Sequence, residues 1–127
     1  MRRKLITIAA VGLILTALCA LEQIAVRVIT RSALDTVRQI DDRIRAGDYS
    51  AAIEKTHALD QTWDRQAKLL EMMVDHRSTD DVRYALSRLS AALESGDISA
   101  AMIYAGELEG GVEHVRERQV FTMENLL

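Results

Sequence analysis

Three histidines, His57, His76 and His114, are the side chains best suited to ligate a transition metal or to change charge near neutral pH. Either role needs at least two of them to converge with carboxylates within a few ångströms. Counted along the helices expected below, His114 returns to the height of His76, near Asp75, Asp80, Asp81 and Glu113. His76 lies at the edge of its apolar stripe and His114 points away from its own, so structural or solvated histidines explain the pair more simply than a metal or pH site. His57 stands alone on a polar face. No His-Glu-x-x-His, paired Glu-x-x-His, Cys-x-x-Cys or glycine-rich phosphate loop occurs, which argues against metalloprotease, di-iron and nucleotide chemistry. No serine or cysteine nucleophile with an evident base is present either. The expectation is a chain without catalytic residues, metal or cofactor.

Other side chains could recognise rather than react. Trp63, the single tryptophan, could stack a ligand or anchor a partner, although its place in the middle of an apolar stripe makes it a core residue first. Met73 and Phe121 are the further candidates for a partner or core anchor. Tyr49 and Tyr84 are expected to close hairpin ends. Asp41-Asp42 and Asp80-Asp81 are neighbours in sequence, so on a helix they diverge by about 100° and form no shared-proton dyad.

The elements that must position these residues follow from composition. In 127 residues there is no proline and one cysteine, with 49% apolar residues and 4% aromatics. Such a chain is expected to be all-α, nearly uninterrupted helix, without a disulfide framework or a deep loop-built cleft. Arg2, Arg3 and Lys4 form a basic block, and every one of the 19 acidic residues lies at or beyond Glu22. The remainder is moderately acidic with no basic stripe, a poor surface for nucleic acid.

From Leu5 to Leu21 the run LITIAAVGLILTALCAL carries no charge in 17 residues. It reads as a transmembrane anchor over residues 5–24, preceded by a basic cytoplasmic tip at residues 1–4 and followed by an extracytoplasmic helical domain at 25–127. A cleaved signal peptide shares the same basic start and apolar middle, with Ala17-Leu18-Cys19 as its small-x-small site. A lipoprotein signal would use Cys19, but Leu18 fills the position that wants a small residue. In a retained anchor, Cys19 is a small apolar residue packed in lipid.

Beyond the anchor, Leu34, Val37, Ile40 and Ile44 recur at helical spacing, and Ala46-Gly47-Asp48 supplies a terminal glycine followed by a capping aspartate. A second helix carries Tyr49, Ala52, Thr56, Leu59, Trp63, Gln66, Leu70 and Met73, and is expected to end near His76-Arg77. Ser78-Thr79-Asp80-Asp81 reads as the N-cap of a third helix carrying Val82, Ala85, Leu86, Leu89, Ala92 and Leu93. Gly96-Asp97 leads to a fourth with Ala101, Met102, Ala105, Leu108, Val112 and Val115. AGDYSAAIEKTHALD and SGDISAAMIYAGELE align at an offset of 49, so the domain is two copies of a helical hairpin, at about 32–77 and 78–119, with a tail at 120–127. An antiparallel, four-helix bundle-like arrangement buries the stripes.

Lengths of about 28 and about 16 residues for the second and third helices imply glycine turns at different heights. The end of helix two then brings Met72, Met73 and Val74 toward the bilayer, while helix four bends or stops at Gly110-Gly111. The closing FTMENLL is expected to be a loose or partner-bound end.

Trp63, His76, Asp81, Leu89, Glu113-His114-Val115 and the terminal Glu124-Asn125-Leu126-Leu127 are spaced in a way that resembles a bacterial family known as domain of unknown function 4363. The resemblance runs over nearly the whole chain. In that family acidic residues follow the histidine closely, whereas here Arg77-Ser78-Thr79 intervene. The resemblance implies a small anchored protein of mainly Gram-positive, often spore-forming bacteria. It also implies a candidate partner, since members are often encoded beside a multi-pass membrane protein of another family, and it favours a retained anchor.

The expected function is therefore that of a non-catalytic, single-pass protein of the cell membrane, N-terminus cytoplasmic and C-terminus extracytoplasmic, that binds or positions a membrane-protein partner. Its expected contacts are the lipid bilayer, a multi-pass membrane protein and, in a homo-oligomer, a second copy of itself. The alternative is an extracytoplasmic ligand, metal or pH sensor acting through a partner; a hydrolase site completed in a homo-oligomer is a third.

Overall fold

In the computed structural model, which describes residues 1–126 and side chains through Arg118, the chain forms four helices. They are α1 (Arg2–Arg45), α2 (Tyr49–Leu70), α3 (His76–Ser95) and α4 (Ile98–Leu126). The apolar N-terminal segment and the first bundle helix are one uninterrupted 44-residue helix, because neither glycine nor proline interrupts it between Gly12 and Ala46.

The two glycine turns are built alike. After α1 the Gly47 amide donates to the Ile44 carbonyl and the Asp48 amide to the Arg43 carbonyl; after α3, Gly96 donates to Leu93 and Asp97 to Ala92. This is a Schellman closure, and it requires the left-handed residue that both glycines provide at a φ of +76°. Asp48 and Asp97 then cap the next helix, accepting from the Ala51 and Ala100 amides at 3.2 and 3.1 Å. The internal repeat is thus a repeat of turn chemistry as well as of apolar pattern.

The turn between α2 and α3 differs from the expected one. Helix α2 ends at Leu70 after 22 residues rather than near His76, and α3 begins at His76 with Asp75 as its N-cap, not within Ser78–Asp81. Asp75 Oδ1 accepts the Ser78 amide at 2.9 Å. Ser78 and Thr79 are buried instead of capping, and the Thr79 hydroxyl donates to the His76 carbonyl at 2.9 Å. With 22 and 20 residues, α2 and α3 are nearly equal in length at about 1.5 Å per residue. Both glycine turns therefore lie at one end of the bundle, at the same height, and the Glu71–Asp75 turn lies at the other.

Neighbouring pairs are α1 with α2, α2 with α3, α3 with α4, and α4 with α1, so the four helices close an antiparallel ring in chain order. Its core includes Val26, Val37 and Ile40 of α1, Trp63 and Leu70 of α2, Leu86 and Leu89 of α3, and Leu108, Val112 and Val115 of α4. Buried Thr30 and Thr56 cause no penalty, because each hydroxyl donates at 2.7 Å to the carbonyl one turn earlier. Burial in α1 begins only at Val26; residues 1–22 are exposed throughout.

Helix α4 does not stop at Gly110-Gly111 but continues to Leu126. Gly111 serves packing rather than termination: a Cβ there would lie 3.3 Å from Val82 Cγ2, so its absence lets α3 and α4 approach. The backbone of Phe121–Leu126 belongs to α4, whereas the Phe121 side chain and Leu127 lie outside the described residues.

Candidate functional site

A groove of 380 Å³ runs between α3 and α4. Two polar stripes at helical spacing face one another there, Ser78, Asp81 and Arg88 on α3 and Glu107 and His114 on α4, with Tyr84 at the side. Gly110 and Gly111 leave it open, since neither carries a side chain to fill the space. Arg88 Nη1 and Glu107 Oε2 pair across it at 3.6 Å. Tyr84 is 60% exposed in mid-helix beside this groove, and does not close a hairpin end. The signal available in the sequence was the glycine pair flanked by polar residues three and four positions apart, read there as a helix end.

The histidines separate. His76 opens α3, with Nδ1 3.5 Å from Glu71 Oε2 and its side chain largely exposed. His114 lines the groove with Asp81. Among the described residues no group of three or more His, Cys, Asp or Glu is placed to hold a metal ion. His57 is not alone: its Nε2 lies 2.9 Å from Glu94 Oε1 and 3.1 Å from Ser90 Oγ, across the α2–α3 interface. Both contacts fall on the same ring nitrogen, so histidine cannot take a proton from serine through one nitrogen while being oriented by the acid through the other. The arrangement is a cross-helix polar clasp.

Trp63 is 1% exposed, with Nε1 donating to the Thr79 carbonyl at 3.3 Å. Its ring fills the core between α2 and α3 and offers no face to a ligand at the surface. Met73 is half-buried against the core from within the Glu71–Asp75 turn. The same turn carries Asp75, whose carboxyl is held below its ordinary range chiefly by the Ser78 amide, then by Arg118 and the Ser78 hydroxyl. Arg118 of α4 pairs with Asp75, tying the last described side chain of the bundle to the turn.

At the other extreme, the first half of α1 is long and apolar enough to cross a membrane, and none of its most apolar 18-residue window is buried in the bundle. Cys19 is exposed on it.

Residues 22–126 match the family model for a domain of unknown function (DUF4363). The chain belongs to this family. The DUF4363 match begins at Glu22, where the uncharged run of α1 ends, and so spans the whole bundle with Trp63, His76, Asp81 and His114. No curated protein and no solved structure matches the chain.

Proposed function

We propose that the protein is a single-pass membrane protein whose helical bundle stands outside the cytoplasm and holds or positions a membrane-protein partner without catalysis of its own. The observation that carries this reading is the apolar run in the first half of α1, continuous with the bundle helix, none of whose most apolar 18-residue window is buried among the described residues. A run of 17 uncharged residues is at the short end of what spans a hydrocarbon core of about 30 Å. Arg2, Arg3 and Lys4 before the run favour a cytoplasmic N-terminus.

The exposed apolar side chains of the bundle, Tyr84, Met102 and Ile103 on α3 and α4, give a partner something to hold. Photo-crosslinkers placed at Ile14, Tyr84 and Ile103 in cells at native expression test the reading. Repeated capture of one multi-pass membrane protein from both segments supports it; capture of lipid or of the protein itself alone overturns it.

The groove between α3 and α4 favours a second reading, a sensor for a small polar ligand, since it pairs Arg88 with Glu107 beside His114 and Asp81. A ligand there would bridge the two helices of the second hairpin. Thermal stability that is unmoved by any soluble anion or amino acid in a screen would count against it.

A further inference from the structure

We infer that the Glu71–Asp75 turn, together with the end of α2, is a second membrane contact: Leu69 and Met72 enter the lipid interface beside the point where α1 leaves the bilayer. The inference rests on the anchoring proposed above and adds a lipid-facing surface on the bundle itself.

The position follows from register. Helices α1 and α2 are antiparallel and pack on each other, starting from the Ala46–Asp48 turn. The 22 residues of α2 therefore return to the level of Gln23 and Ile24 on α1. Glu22 and Gln23 are the residues at which the uncharged run ends, so the turn stands at the height of the headgroups.

The chemistry of that end matches its position. Met72 is 82% exposed and Leu69 46%, unlike Leu70 and Val74 beside them, which are buried in the core. On α1 at the same level Ile24 and Val28 are also exposed, so apolar surface continues from the spanning segment onto the base of the bundle. Exposed Arg27, Lys68 and Arg77 lie at the same end of the bundle, with long aliphatic stems that can lie along acyl chains while their charges reach lipid phosphates. Of the two carboxylates in the turn, that of Asp75 is paired with Arg118 and that of Glu71 lies 3.5 Å from His76 Nδ1, while Glu22 is exposed on α1 at the same level. A flexible thioether beside a branched aliphatic, with cations at the same end of the bundle, suits the boundary between headgroups and chains better than open water. A protein occupant of the same surface is the competing outcome of the test.

The full-length chain, with Cys19→Ala, is labelled with an environment-sensitive fluorophore at Met72→Cys, at Leu18→Cys or at Ser50→Cys, and reconstituted into equimolar phosphatidylcholine–phosphatidylglycerol vesicles. All three positions are exposed, so labelling leaves the core intact. Expected at position 72 is blue-shifted emission quenched by a nitroxide on the lipid close to the headgroup, with position 18 quenched by a deeper nitroxide and position 50 water-like and unquenched. Water-like, unquenched emission at 72 with quenching at 18 overturns the second contact and leaves the anchor. A blue shift at 72 without lipid quenching also overturns it, because protein rather than lipid then covers the turn. Loss of quenching at 18 removes the anchor, and the inference with it.

Discussion

Trp63 reaches across from α2 to donate its indole N–H to the carbonyl of Thr79 in the first turn of α3, at 3.3 Å. The bond fixes the two helices immediately above the turn that joins them. Because Thr79 is inside α3, its carbonyl keeps a helical partner when the indole is removed, whereas the ring volume cannot be replaced. Trp63→Phe should therefore cost about 1 kcal/mol and Trp63→Ala about 3–5 kcal/mol. Thermal melts of both variants in detergent micelles, followed by circular dichroism, measure the difference; equal losses would show that the ring is not packed as described.

The neighbouring glycines Gly110 and Gly111 should respond differently to the same substitution. A Cβ at Gly110 meets nothing within 4 Å, so Gly110→Ala gains helix propensity and should stabilise the protein by about 0.5–1 kcal/mol. At Gly111 the same gain is offset by crowding against Val82, leaving Gly111→Ala within about 0.5 kcal/mol of the wild type, and Gly111→Leu should destabilise by about 1–3 kcal/mol. Chemical denaturation of the three variants gives the order.

Gly47 and Gly96 should behave alike, since both close a helix in the same left-handed conformation. Alanine at either position should cost about 1–2 kcal/mol and asparagine less. If the two alanine variants differ by more than the asparagine variants do, the repeat of turn geometry is not a repeat of energetics.

Asp75 predicts an acid-labile base of the bundle. Its pKa is lower folded than unfolded, chiefly because the carboxylate accepts from the Ser78 amide. The stability it contributes is therefore fully present above the ordinary aspartate pKa and is lost as pH falls through the lower, folded value. Asp75→Asn keeps an acceptor for the cap but has nothing to protonate. Melting temperature against pH, from neutral to below the ordinary carboxylate range, should fall less steeply for the variant; parallel curves would assign the acid sensitivity to other carboxylates.

The apolar periodicity and the two Gly-Asp turns made the helical hairpins legible, because each Gly-Asp pair must both reverse the chain and cap the next helix. The α2–α3 turn was not legible, since Leu70, Met73 and Val74 continue the helical stripe without glycine or proline to mark a break. Ser78 and Thr79 have side chains that cap helices, yet here they are buried and bonded within their own first turn. An acceptable cap three residues early, at Asp75, displaced them. The polar groove was hidden for a related reason. A glycine pair signals a helix end or a close approach equally well, and only the position of Val82 on another helix decides between them. His57 shows the same limit: periodicity places it on a polar face, but Glu94 and Ser90 come from an element 33 to 37 residues away.

The unbroken course of α1 has a mechanical consequence. Under the anchoring proposed above, the absence of a hinge between the apolar half and the bundle half of the helix means that any tilt of the spanning segment is passed to the bundle. A tilt of about 20°, ordinary for a spanning helix, would carry the far glycine turns about 11 Å sideways over a bundle height of about 33 Å. A change in tilt would thus swing the distal surface of the bundle, where Tyr49 and Ile98 begin their helices, relative to whatever stands beside it.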